Sequence, residues 1–140
     1  MATTVHRDVV VDVLTADDIV VARRAGRDIA VDLGFSMTDV TMIATAISEV
    51  ARNITSYAGT GAIRLALEER DGRKALIVQA SDNGPGIGDI MRALEDGYST
   101  GGGLGLGLPG ARRLMDRLEI TSELGRGTMV EMWKWLSPDA

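Results

Sequence analysis

The sequence predicts one α/β domain over residues 1–140, a two-layer sandwich in which a mixed sheet carries helices on one face. Three observations predict it. Apolar residues alternate with polar ones over 8–13, 63–82 and 118–135, the two-residue period of strands. Between the first and second of these runs lie two long segments with apolar residues at spacings of three and four, the period of helices. No internal repeat, low-complexity tail or linker-like boundary interrupts the chain. A sheet face and a helix stripe each need apolar cover, and stacking one on the other supplies it to both.

In order, Val9, Val11 and Val13 share one face of a first strand over 8–13. Thr15 is placed to cap the first helix, with Asp17 and Asp18 in its positive first turn. Ile19, Ala22, Gly26, Ile29, Ala30 and Leu33 keep the helical stripe until Gly34 ends it. Arg23, Arg24 and Arg27 lie off the stripe and read as a solvated face. Ser36 caps a second helix reaching about Tyr57, with a stripe of Val40, Ile43, Ala44, Ile47, Ala51, Ile54 and Ala58. Glu49 and Asn53, four apart, share a face that points roughly away from that stripe. Read alone, the pair fits a plain exposed face as well as a site.

Ile63, Leu65 and Leu67 then alternate with polar residues, and Asp71-Gly72 turns the chain into a return strand ending at Asp82. On that strand Leu76, Val78, Ala80 and Asp82 share a side. An acid that continues an apolar face needs a partner, because an unpaired buried carboxylate is costly. Asp82 could equally cap the next helix, since it stands before the glycine turn Asn83-Gly84-Pro85-Gly86. A short helix is expected over 87–95, then a loop in which Gly97, Gly101, Gly102, Gly103, Gly105, Gly107 and Gly110 crowd together. Each glycine inside a helix costs roughly 1 kcal/mol against alanine, so no regular helix runs through the loop. Bare, weakly charged backbone suits close approach to a ligand, and the loop reads as a phosphate-covering lid. Pro109 restarts a helix, residues 118–122 form a strand, Gly125-Arg126-Gly127 turns, and 128–135 is the last strand. Thr128 shares its face with Val130 and Met132, while Trp133 and Trp135 read as half-exposed core.

Composition narrows the function. The 140 residues carry a net charge of -5 with no run of basic residues, which argues against nucleic acid or an anionic membrane as partner. With no cysteine there is no thiolate nucleophile or zinc ribbon, and His6 alone cannot build a multi-histidine metal site. No stretch approaches the roughly 20 apolar residues of a membrane span, and the N-terminus lacks an apolar signal region, so a cytoplasmic location is expected. The G-x-x-x-x-G-K-[ST] phosphate loop is absent, as are the H-R-D and D-F-G signatures. Gly105-Leu106-Gly107-Leu108-Pro109-Gly110 matches G-x-G-x-x-G only by accident of spelling, because a polar loop rather than a strand precedes it.

Four separated motifs agree with one another: Glu49-x-x-x-Asn53, Asp82-x-Gly84-x-Gly86, Gly103-x-Gly105-x-Gly107 and Gly125-x-Gly127-Thr128. Together and in this order they resemble the Bergerat-type ATP-binding fold shared by gyrase B, Hsp90, histidine kinases and MutL. Within it, the stretches 46–54, 96–105 and 108–116 resemble the RsbT-type switch kinases of bacterial stress-signalling modules, whose cousins are the anti-sigma-factor kinases. The resemblance implies that Asp82 accepts from the adenine amino group, with Thr128 completing the contact and Gly84 and Gly86 letting backbone close on the base. It implies that Asn53 offers its oxygen to Mg²⁺, and that the amides of Gly103, Gly105 and Gly107 face the phosphates. It makes Glu49 the general base for a serine or threonine hydroxyl. No lysine stands in the four motifs, so Mg²⁺ and backbone dipoles must carry the phosphate charge.

The function so implied is an ATP- and Mg²⁺-dependent serine/threonine kinase. It would phosphorylate STAS-domain antagonist and scaffold proteins and, once released, bind a PP2C-type phosphatase or another output enzyme. The alternative is an anti-sigma kinase that sequesters a sigma factor directly. The absence of a phosphoacceptor domain argues against a histidine kinase, and the absence of transducer domains against a gyrase-like or chaperone ATPase.

Overall fold

The computed structural model describes residues 3–84 and 107–137. Among these residues, five strands and three helices follow one another as β1 (Thr3–Val13), α1 (Asp17–Leu33), α2 (Met37–Tyr57), β2 (Gly61–Arg70), β3 (Arg73–Asp82), α3 (Gly107–Leu114), β4 (Arg117–Glu123) and β5 (Gly127–Trp135). The sheet order is β1-β2-β3-β5-β4. The two-layer α/β class stands as expected. The mixed sheet does not: β1–β2, β2–β3, β3–β5 and β4–β5 are all antiparallel. Two helices, not one, separate β1 from β2; α1 runs back and α2 forward again, so β2 arrives against β1 in the opposite sense. A single crossover helix is what makes a parallel neighbour.

Local chemistry sets the element ends. Thr15 is not the cap of α1. Instead Asp18 reaches back, and its Oδ2 accepts from the amides of Leu14 at 2.8 Å and Thr15 at 3.1 Å. Gly34 closes α1 in the left-handed region with φ 90°, its amide bonded to the carbonyls of Ala30 and Val31. Ser36 caps α2 as expected, accepting from the Asp39 amide at 3.1 Å. Asp71 and Gly72 both have positive φ, the mirror-image turn whose twist matches a two-residue hairpin. Pro109 is the third residue of α3, not the first, still within the turn whose amides have no intrahelical acceptor.

Helices and sheet bury one main core. Ala22 and Ile29 from α1, Ile43, Ile47 and Ile54 from α2, and Leu108 and Ala111 from α3 meet Leu65, Val78 and Met132 of the sheet. Of the α2 stripe read from the sequence, Val40, Ile43, Ile47, Ala51 and Ile54 make this contact, joined by Ala46 and Val50, while Ala44 and Ala58 stand outside it. The buried Lys134 anchors the end of α3, donating to the Leu114 carbonyl at 2.8 Å with Asp39 at 3.9 Å and Asp116 at 4.0 Å. The opposite sheet face holds a small cluster of Ala75, Ile77 and Trp133 with Trp135 against it. Trp133 is more buried than expected, because Arg70 stacks 4.5 Å from its ring centre and Trp135 packs beside it at 5.6 Å. Among the described residues no helix is long and apolar enough to cross a membrane.

Candidate functional site

Strand pairing assembles the first half of the site. Asp82 ends β3 and lies in register with Gly61 of β2 and Thr128 of β5. Thr128 is buried, and its hydroxyl lies 2.9 Å from Ser122 Oγ, which in turn donates to the Gly127 carbonyl at 3.1 Å. Ser122 thus orients Thr128, a role that sequence reading missed; the β4–β5 register, which pairs the two, was the signal for it. Asp82 Oδ1 accepts from the Gly84 amide at 2.9 Å, so the chain turns back on the acid that ends the strand.

Two glycines make this corner possible. A Cβ on Gly84 would stand 2.6 Å from the Cβ of Ala58, the residue that closes α2. A Cβ on Gly127 would overlap the Asp82 carbonyl oxygen, and its φ of +105° excludes ordinary side chains as well. The sequence reading gave Gly84 to the ligand and Gly127 to a turn. In the fold each also lets two backbone segments touch, Gly84 joining the β3 end to α2 and Gly127 joining it to β5.

The second half of the site is on α2. Glu49 is 7% exposed, so the plain exposed face is excluded at that position. It turns from the main stripe toward α3, and both its oxygens are engaged. Oε1 accepts from Arg52 Nη1 at 2.8 Å, and Oε2 accepts from the Gly107 amide at 2.7 Å. These charge-assisted bonds are what permits a carboxylate to be buried there. Asn53, one turn on, is half-buried. Arg52 was also missed by the sequence reading, although an acid and a base three apart on a helix are within reach of each other.

The fold therefore brings Asp82, Gly84 and Thr128 together, and separately Glu49 with Gly107, the two groups being linked through α2 and Ala58. Gly86, Gly103 and Gly105, the helix expected over 87–95 and most of the lid lie outside the described residues. Among the described residues no group of three or more His, Cys, Asp or Glu is gathered for a metal. The carboxamide oxygen of Asn53 is a hard, neutral donor. It suits an ion that takes few protein oxygens and completes its shell with phosphates and water, as Mg²⁺ does.

Residues 38–138 match the family of histidine kinase-, DNA gyrase B-, and HSP90-like ATPases. The serine/threonine-protein kinase RsbT of Bacillus subtilis (strain 168) is 51% identical over 126 residues, covering 90% of this chain and 95% of that one. The anti-sigma F factor of Thermoanaerobacter sp. (strain X514) is 30% identical over 123 residues, covering 84% and 85%. A crystal structure of RsbU and RsbW domains from Mycobacterium tuberculosis aligns over 95% of this chain and 34% of its own, with TM-score 0.62 and 20% identity. At that identity the likeness is one of fold.

Proposed function

The chain belongs to the histidine kinase-, DNA gyrase B-, and HSP90-like ATPase family and is similar to RsbT-type serine/threonine kinases over most of its length, and from that premise we propose that it transfers the γ-phosphoryl group of ATP to a serine or threonine of a STAS-domain protein. The observation that carries the proposal is the buried Glu49 carboxylate, held on α2 at the point where the glycine-rich segment re-enters helix at Gly107. A buried acid aimed at lid backbone is poorly placed for packing and well placed for proton transfer.

In this reading Asp82 accepts a hydrogen bond from the adenine amino group, with Thr128 and its partner Ser122 beside it. Asp82 is half-buried, and an acceptor shut from water by the bound base but left unpaired by the wrong one rejects that base, at roughly a few kcal/mol. Gly84 and Gly86 bring backbone against the base, and the amides of Gly103, Gly105 and Gly107 face the phosphates. Asn53 would hold Mg²⁺, which supplies charge neutralisation across the phosphate oxygens. The substrate hydroxyl oxygen attacks the γ-phosphorus as its proton passes to Glu49. The bond from that phosphorus to the bridging oxygen breaks, and ADP leaves with the electron pair. The products are a phosphoserine or phosphothreonine and ADP.

STAS-domain antagonist and scaffold proteins are the proposed substrates, with a PP2C-type phosphatase or other output enzyme as the partner bound after release. A second reading, an anti-sigma kinase, is favoured by the likeness to anti-sigma F factors, but at 30% against 51% identity it ranks below the first. Co-purification of a sigma factor would reverse that order.

The test is transfer of label from γ-labelled ATP to a STAS-domain protein from the same genome, with Mg²⁺ and with EDTA. Magnesium-dependent labelling on serine or threonine is expected. Glu49→Gln keeps an acceptor for Gly107 and should retain ATP binding while losing about 100-fold or more in transfer rate. Unchanged transfer would remove Glu49 from the chemistry.

A further inference from the structure

We infer that Arg52 is the positioning residue of the catalytic carboxylate, the donor that keeps its orientation fixed when nucleotide binds. The inference deepens the proposed kinase reading and rests on it. Each Glu49 carboxylate oxygen accepts one hydrogen bond, Oε1 from Arg52 at 2.8 Å and Oε2 from Gly107 at 2.7 Å, and each keeps a second lone pair. A general base must present an oxygen within about 3 Å of the hydroxyl whose proton it takes. The two donors therefore decide where a free lone pair points rather than whether one exists.

The two donors differ in what they can do. Arg52 lies three residues on along α2, so it keeps its place relative to Glu49 whatever the lid does. Gly107 is the first residue of α3, at the end of the glycine-rich segment, and on the proposed reading its amide faces a phosphate. A phosphate oxygen competes with Oε2 for that amide, so this is the donor that nucleotide can draw away. Arg52 then remains as the donor that holds Oε1 and limits turning of the carboxylate. The Arg52 side chain is 41% exposed against 8% for Glu49, so its removal leaves the core intact while releasing the carboxylate.

The experiment uses the full chain as Arg52→Ala, Arg52→Lys and Glu49→Gln. Thermal midpoints confirm folding, a fluorescent ATP analogue gives Kd, and single-turnover transfer from bound MgATP to a STAS-domain protein gives the rate. Arg52→Ala is expected to slow transfer about 10- to 100-fold with Kd changed less than about twofold, since misplaced groups cost rate rather than binding. Arg52→Lys, which restores a cation within reach of Oε1, is expected to recover most of the loss. An unchanged rate in Arg52→Ala overturns the inference, as does a rate loss matched by an equal loss of nucleotide affinity, or a lysine variant no better than alanine. Glu49→Gln separates the two levels. If it abolishes transfer while Arg52→Ala does not, only the positioning role falls. If it too transfers at the wild-type rate, Glu49 is not the base and the kinase mechanism beneath falls with it.

Discussion

Gly127 carries more of the site than a turn residue usually does. Its φ of +105° and its close approach to the Asp82 carbonyl mean that any side chain must push β5 away from the end of β3. Gly127→Ala is therefore expected to cost about 3 kcal/mol in urea unfolding, a strained backbone plus a displaced strand. A loss under about 1 kcal/mol would show that the turn shifts freely and that Asp82 and Thr128 are not held by it. Sequence reading finds this glycine but not its neighbour, since φ and turn type are local whereas the carbonyl it meets lies 45 positions earlier. Glu49 shows the same division. Its type and spacing from Asn53 are legible; its burial depends on α3, which no local pattern places beside it.

At the scale of elements, the sheet carries a polar ladder on the face away from the helices. Asp8 pairs with Arg64 through two bonds of 2.8 Å, Arg64 donates to Gln79 at 3.2 Å, and Gln79 donates to Glu131 at 2.6 Å. The Trp133 indole donates to the other Glu131 oxygen at 2.8 Å. Burial works to raise the Glu131 pKa, but these two donors, with Arg117 and Arg70 nearby, outweigh it and hold the carboxyl below its ordinary range. A carboxylate whose folded pKa is lowered contributes stability that is present above its unfolded pKa, about 4.3, and is lost as pH falls through the folded value. Glu131→Gln should thus be less stable than wild type at pH 7, with the gap closing in acid below about pH 4. A gap that stays constant from pH 7 to pH 3 in urea titrations would assign it to packing rather than charge. Each strand of this ladder is readable from alternation. The ladder itself needs the order β1-β2-β3-β5, in which β5 enters between β3 and β4.

For the whole molecule, the proposed ATP site draws on β3, β5, α2 and α3, so binding there would couple to the fold. ATP at about 100 times its Kd is expected to add about 2.7 kcal/mol to stability, read as a rise in thermal midpoint. Asp82→Asn should abolish that rise and leave the midpoint without ATP nearly unchanged. Asparagine keeps an oxygen for the Gly84 amide, while its new amide donor faces the adenine amino group, also a donor. A full ATP-induced rise in this variant would remove Asp82 from adenine recognition.

By itself the sequence determined the class of fold, most of the stripe of α2 and the hairpin at Asp71-Gly72. These follow from short-range periods and turn preferences that act within a few residues. Only the tertiary structure decided that the sheet is antiparallel throughout, that Glu49 is buried between Arg52 and Gly107, and that Ser122 aligns Thr128. Those depend on which distant segments meet, and the meeting is set by burying one shared core rather than by any local pattern.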